Sequence, residues 1–154
     1  MTTSTLNRVL VLSIVSAIAF SVMPSASAQG CSDRSLNGSF GYTVTGTIVQ
    51  NSGPLVAGPF VAVGRIVFDG KGRVSTVRSL NDDGIVLQND SGTGTYTMNS
   101  DCAGTFNITV GPPADQIELT LSIVLDDTDQ VRGVVTTPNA VLAFEARQQL
   151  PIFS

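Results

Sequence analysis

Cys31 and Cys102 are the two cysteines of this 154-residue chain, and their thiols could serve as a nucleophile, as metal ligands or as a disulfide. The chain has no histidine, so the usual base for activating a catalytic thiol is missing. Two cysteines in one small domain usually pair with each other when the chain is exported to an oxidising compartment, which residues 1–28 predict for this chain. The sequence therefore predicts a Cys31–Cys102 disulfide, which would close a loop of about 70 residues and contribute roughly 3–5 kcal/mol in the chain-entropy model.

Four polar side chains on predicted strands could orient a small ligand: Tyr42, Arg65, Tyr96 and Glu145. Both tyrosines are predicted to be core residues with their hydroxyls hydrogen-bonded. The direction of Arg65 and Glu145 stays open, because a shift of one residue in a strand moves every side chain to the other face. An inward Glu145 near Arg65 or a tyrosine would make a polar spot in an apolar interior, an arrangement that orients small ligands.

The missing histidine also removes Ser-His-Asp hydrolysis, histidine-based acid–base catalysis and most transition-metal sites. No Gly-rich loop joins a strand to a helix, so a nucleotide site is unsupported. The acidic stretch 126–129 has oxygen ligands for calcium, but it lacks the spacing of a known calcium loop and is typical of a hairpin turn. The sequence therefore predicts no metal and no cofactor, and it favours a non-enzymatic protein over an enzyme.

Residues 1–28 have the layout of a secretory signal peptide. Arg8 precedes an apolar run at residues 9–22, and Ala26-Ser27-Ala28 supplies small residues before a cleavage site at Gln29. A transmembrane anchor is the alternative, but the run is shorter than the roughly 20 residues that cross a bilayer. A lipoprotein with Cys31 as the lipidated residue is another, although the usual leucine before such a cysteine is absent. We predict a secreted or periplasmic domain at residues 29–154 with no membrane span after cleavage.

The charge of the domain excludes one class of partner. The full chain carries 8 basic and 12 acidic residues, and loss of Arg8 with the signal peptide leaves a net charge of −5. The basic residues form no cluster, so nucleic acid or an anionic membrane has no electrostatic footprint on the chain.

Apolar and polar residues alternate along most of the domain, which is the pattern of half-buried strands. Residues 117–125 show it best, and residues 59–68 differ because they are apolar on both faces except at Arg65, which predicts burial on both faces. A Ser-Gly pair at 91–92 is predicted to break one segment. About eight strands joined mostly by short turns predict an all-β fold, an antiparallel up-and-down barrel whose interior is filled or just wide enough for one small ligand. A β-sandwich is the alternative.

Two runs carry a resemblance that covers nearly the whole mature chain. They are FVAVGRIVFDGKGRV at Phe60–Val74 and GTYTMNSDCAGT at Gly94–Thr105. With them the chain resembles a group of small exported bacterial proteins of unknown function, which are similar in fold to the barrels of allene oxide cyclases and dirigent proteins, relatives in shape of the lipocalins. The resemblance implies a barrel and secretion. It assigns no catalytic residue, because no cyclase or dirigent motif maps onto particular positions here.

Three functional hypotheses follow. The first is a secreted barrel that binds a small apolar ligand or acts as an interaction module at the cell surface. The second is a cyclase- or dirigent-like protein that guides a reactive small molecule by confinement. The third is a structural or assembly protein with a solid core. Cavity volume distinguishes them, because an open apolar pocket with one or two charged residues favours the first two and a filled interior favours the third.

Overall fold

The computed structural model describes residues 30–126 and 129–149, and these form a closed barrel of eight antiparallel strands in which each strand pairs with the next and the last pairs with the first. The prediction of an up-and-down barrel is confirmed, and the β-sandwich alternative does not apply. The predicted signal peptide and residues 127–128 of the acidic turn lie outside the described residues. The strands are β1 (Asn37–Ile48), β2 (Gly58–Asp69), β3 (Arg73–Asp82), β4 (Ile85–Met98), β5 (Ala103–Val110), β6 (Ile117–Leu125), β7 (Gln130–Val135) and β8 (Ala140–Gln148).

Strand β2 buries one face only. Its inner residues are Phe60, Ala62, Ile66 and Phe68. On the outer face Val61 and Val63 keep 46% and 59% of their surface exposed. The prediction that residues 59–68 are buried on both faces is wrong, because a single-walled barrel has an interior on one side of each strand and solvent on the other.

Strand β4 runs without a break through Ser91 and Gly92, so the predicted interruption there is also wrong. Gly92 is present because the barrel wall is tight at this point. A Cβ atom at residue 92 would lie 2.5 Å from Cγ1 of Val110 and 2.6 Å from the carbonyl oxygen of Thr109. The small residue permits close approach of β4 and β5 and does not end the strand.

One end of the barrel, here called the closed end, is covered by the start of the described chain. The predicted disulfide is confirmed, since Cys31 bonds to Cys102 with a Cα–Cα distance of 4.9 Å. A 3-10 helix at Asp33–Ser35 follows and delivers Leu36, which is completely buried, into the barrel. The described chain also leaves at this end, where the backbone N–H of Gln149 donates to the carbonyl of Ser39 at 2.8 Å.

The other end, here called the mouth, is formed by the connections at residues 49–57, 83–84, 111–116 and 136–139. Between the two ends, aromatic rings fill much of the interior. They form a connected group with ring centroids 5.1–6.2 Å apart, made of Phe40, Tyr42, Phe68, Tyr96, Phe106 and Phe144. Most of these pairs meet edge to face, the arrangement that aromatic quadrupoles favour.

Candidate functional site

Tyr96 lies at the closed end, in contact with the 3-10 helix that covers the barrel. Its hydroxyl lies 2.8 Å from the carbonyl oxygen of Leu36 and 2.9 Å from that of Asp33, so its single proton is shared between these two acceptors. The carboxylate of Asp33 in turn accepts the backbone N–H of Met98 at 2.7 Å. Burial raises the pKa of the Tyr96 phenol above its ordinary 10.0. Its polar group is therefore engaged in holding the 3-10 helix against the barrel.

Tyr42 lies in the middle of the barrel beside a small internal cavity. The cavity has a volume of about 30 Å³, room for one or two water molecules, and Tyr42, Thr76 and Arg78 line it together with apolar side chains. The barrel interior is thus nearly solid at this level. Burial raises the pKa of the Tyr42 phenol as well.

The hydroxyls of Tyr42 and Thr76 lie 3.0 Å apart, and the Thr76 hydroxyl is also 3.0 Å from the carbonyl oxygen of Arg65. A carbonyl can only accept, and a threonine hydroxyl has one proton. When Thr76 donates to the Arg65 carbonyl, the Tyr42 hydroxyl can donate to Thr76, so both hydroxyls are satisfied without a ligand.

A buried ion pair lies above this cavity. The guanidinium Nε of Arg78 on β3 is 2.8 Å from Oδ2 of Asp90 on β4, and the two side chains are only 8% and 6% exposed. The other oxygen of Asp90 accepts the backbone N–H of Gly111 at 3.0 Å. The pair therefore joins β3 and β4 to the loop that follows β5, and both carboxylate oxygens of Asp90 have a donor.

A β-bulge gives Asp90 its inward direction. Arg78 is opposite Asp90 and Leu80 is opposite Leu87, so one residue of β3 faces two residues of β4. The extra residue is accommodated by Asn89, whose φ is 55°, a conformation that asparagine tolerates better than most residues. The bulge shifts the alternation of β4 by one residue, which lets Leu87 and Asp90 both face the interior.

A second cavity opens at the mouth, directly beyond Arg78. Its volume is about 320 Å³, and Arg78 lines this cavity as well as the internal one. Arg78 thus separates the solid part of the barrel from the open part. Apolar residues make up much of the wall, including Leu55, Leu80, Ile85, Leu87 and Ile117. The charged residues of the wall are Arg78, Asp82 and Asp115.

Asp82 is the most unusual residue of this mouth cavity. It is 4% exposed. Its Oδ2 accepts the backbone N–H of Val56 at 2.9 Å, which attaches the 49–57 loop to β3. Its Oδ1 is buried and accepts no hydrogen bond from any residue that the structure describes. Buried carboxylate oxygens nearly always have a donor, so this atom is an exceptional polar group in the wall of the cavity.

The structure does not bring the four predicted ligand-binding residues together. Tyr42 and Tyr96 are buried in different parts of the interior. Arg65 and Glu145 lie on the exposed outer face, because Leu142, Phe144 and Ala146 are the inward residues of β8. The proposed polar spot around an inward Glu145 is therefore not formed.

The polar residues of the interior are instead Thr76, Arg78, Asp82 and Asp90, which the sequence analysis missed. A signal for three of them, Thr76, Arg78 and Asp82, was present in β3. Extending the alternation of Val74 and Leu80 along the strand places these three residues on the inner face. Asp90 gave no such signal, since the bulge changes the alternation of β4 just before it.

Comparisons of the chain with protein-family models, with curated proteins and with solved structures give no match. The residues that the structure describes contain no helix of the length and apolar character needed to cross a membrane. Within residues 30–126 and 129–149, no three or more acidic, histidine or cysteine side chains are grouped so that they could hold a metal ion. The candidate site is therefore defined by the mouth cavity alone.

Proposed function

We propose that this protein is a secreted or periplasmic binding protein that holds one small molecule in the mouth of its barrel, without catalysing a reaction. The observation that carries the proposal is the unpaired Oδ1 of Asp82 beside the mouth cavity. Leaving a buried carboxylate oxygen without a donor costs about 1–3 kcal/mol or more. A ligand that donates a hydrogen bond to this atom recovers that free energy when it binds.

The size and lining of the mouth cavity support the same function. A volume of about 320 Å³ lies at the lower end of the roughly 300–1,000 Å³ range of small-molecule sites. Such sites combine apolar walls with a few polar groups that fix orientation. Here the apolar residues come from the 49–57 loop, the β3–β4 hairpin, the 111–116 loop and the start of β6. The polar groups come from Arg78, Asp82 and Asp115.

The proposed location rests on two features. The disulfide between Cys31 and Cys102 is of a kind that persists in oxidising compartments. The predicted signal peptide at residues 1–28 would deliver the domain there.

Native mass spectrometry of protein purified from its own host tests the proposal. Wild type should carry a small noncovalent adduct. Leu87→Trp, which fills the mouth from the inner face of β4, should lose it, while Val86→Trp, one residue away on a side chain that does not line the cavity, should keep it. Bare chain mass for folded wild type, or an adduct that survives Leu87→Trp, would overturn the proposal.

The second candidate function is that of a structural or assembly protein with a solid core. The small volume of the internal cavity, about 30 Å³, favours it for the part of the barrel below Arg78. The same volume gives no support to a cyclase- or dirigent-like function in the barrel interior, which needs a chamber for the reacting molecule. A structural function predicts that native mass spectra of wild type and of Leu87→Trp both show the bare chain mass without any adduct.

A further inference from the structure

We infer that the ligand of the mouth cavity is a small organic cation, a compact apolar group bearing a protonated amine. This inference rests on the proposed function and names the chemical class that the site recognises. Three observations carry it: the distribution of charge around the cavity, the unpaired oxygen of Asp82, and the apolar side chains that the barrel leaves open at the mouth.

The charge lining the mouth favours a cation. Two acidic residues, Asp82 and Asp115, and one basic residue, Arg78, line the cavity. The guanidinium of Arg78 already has a partner, because Asp90 lies 2.8 Å from its Nε. Because Asp90 already neutralises Arg78, the negative charges of Asp82 and Asp115 have no counter-charge left in the wall of the cavity. An anionic ligand would have to approach both Asp82 and Asp115 and compete with Asp90 for Arg78.

The unpaired oxygen of Asp82 favours an N–H donor that carries charge. Oδ1 needs a donor because Oδ2 alone is engaged, by the backbone of Val56. A hydroxyl could also donate to it. An ammonium donates and in addition brings the opposite charge next to a carboxylate that is 4% exposed, and charge-assisted hydrogen bonds are about twice as strong as neutral ones.

Two exposed apolar side chains of β4 indicate that part of the ligand is apolar. Ile85 and Leu87 line the cavity, yet they remain 52% and 39% exposed, whereas Leu80 on the facing strand is 8% exposed. Their side chains form an uncovered apolar wall beside the charged base of the cavity. A ligand with an amine at one end and an apolar group at the other would cover this wall while its amine meets Asp82.

Asp82→Asn is the decisive variant. An asparagine keeps one oxygen to accept the Val56 N–H, and it replaces the unpaired oxygen by an amide donor of the same size. Asp83→Asn is the matched control, because it removes the same charge one residue away on an exposed side chain. Asp115→Asn removes the second carboxylate of the cavity.

Isothermal titration of the mature domain with benzylamine, benzyl alcohol and benzoate provides the test. These probes share a ring and differ in the charge of one end. We expect benzylamine to bind at least about ten-fold more tightly than benzyl alcohol, and benzoate to bind least. Asp82→Asn should weaken benzylamine binding about ten- to hundred-fold. Asp115→Asn should weaken it only about two- to five-fold, since Asp115 is exposed, and Asp83→Asn should leave it within about two-fold.

Several results would overturn the inference. Equal binding of benzyl alcohol and benzylamine, tighter binding of benzoate, or no binding of any probe would exclude an organic cation of this kind. Unchanged benzylamine affinity in folded Asp82→Asn would mean that Asp82 is satisfied by ordered water alone. Each of these outcomes can occur while the host-derived adduct persists on wild type and is lost in Leu87→Trp, so failure of the ligand class is distinguishable from failure of the binding function.

Discussion

At the closed end, the Tyr96 hydroxyl and Oδ1 of Asp33 are hydrogen-bonded within the chain, whereas at the mouth Asp82 keeps one buried oxygen without a partner among the described residues. The closed end is also covalently joined to the wall by the disulfide. The mouth is held by hydrogen bonds from loops, such as the one from Val56 to Asp82.

This difference indicates that the closed end serves the stability of the fold and the mouth serves binding. A polar network that is complete within the chain stabilises one conformation, and an incomplete one leaves free energy to be gained from a ligand. We therefore expect substitutions at the closed end to lower stability with little effect on binding, and substitutions at the mouth to change binding with less effect on stability. The Arg78–Asp90 pair lies at the boundary and should affect both.

Loss of the disulfide should have the largest effect on stability. The double variant Cys31→Ser/Cys102→Ser should lower the free energy of unfolding by roughly 4 kcal/mol, because the bridge restricts the unfolded chain over a long loop. Urea denaturation followed by circular dichroism measures it, and reduction of the wild type should give a similar loss. Benzylamine affinity should stay within about three-fold in the folded variant, since the bridge is at the far end from the mouth. A ten-fold loss of affinity would contradict the division between the two ends.

Removal of one partner from the buried ion pair should come next. Asp90→Asn should cost about 3 kcal/mol, because it leaves the Arg78 guanidinium buried without its counter-charge. The double variant Arg78→Met/Asp90→Leu should recover most of that loss, since an apolar pair has no charge to desolvate. Equilibrium unfolding of Arg78→Met, Asp90→Leu and the double variant gives the coupling energy of the pair. Additive losses would show that the two side chains act independently.

The Tyr96 hydroxyl should contribute about 2 kcal/mol at the closed end. Tyr96→Phe removes the donor of the Leu36 carbonyl, and an unsatisfied buried acceptor is costly, while the Asp33 carbonyl keeps the backbone N–H of Leu36 at 3.2 Å. Tyr42→Phe is the matched control and should cost about 1 kcal/mol or less, because the Thr76 hydroxyl retains the Arg65 carbonyl as an acceptor. Thermal unfolding of both variants measures the difference in stability. A larger loss of stability for Tyr42→Phe than for Tyr96→Phe would contradict the larger contribution of the Tyr96 hydroxyl.

The two phenols should also make the fold sensitive to alkali. Burial raises both pKa values above 10.0, so the folded protein holds these protons more tightly than the unfolded chain. The contribution is fully present below about pH 10 and is lost as the pH rises through the folded pKa values. The chain has 2 tyrosines and no tryptophan, so phenolate absorbance should appear only above pH 10 and together with unfolding. A phenolate that forms at its ordinary pKa in the folded state would contradict this expectation.

The smallest effect is expected from an exposed ion pair. Arg132 lies 3.1 Å from Asp126, but the Arg132 side chain is 61% exposed. Arg132→Ala should change the free energy of unfolding by less than about 1 kcal/mol. Measured beside Asp90→Asn, it separates the effect of burial from that of charge pairing, and equal losses for the two variants would contradict that separation.

The number of cysteines and the predicted signal peptide were sufficient to predict the disulfide. The alternation of side chains was sufficient to predict the barrel, because the strands follow from local pattern. It was not sufficient to choose the direction of Glu145, which depends on the register of the last strand against β1. The polar residues of the mouth were not predicted, for a related reason. Asp90 faces inward only because of the bulge at Asn89, and the hydrogen bonding of Asp82 depends on the 49–57 loop, whose Val56 N–H reaches Oδ2 and not Oδ1. Both are tertiary facts that no local sequence pattern encodes.

Both ends of the described chain, Gly30 and Gln149, lie at the closed end of the barrel. A tether or fusion partner attached at either position would hold the molecule by its base with the opening directed away from the point of attachment. The domain can therefore be immobilised on a sensor surface through either terminus and still present its cavity to the solution.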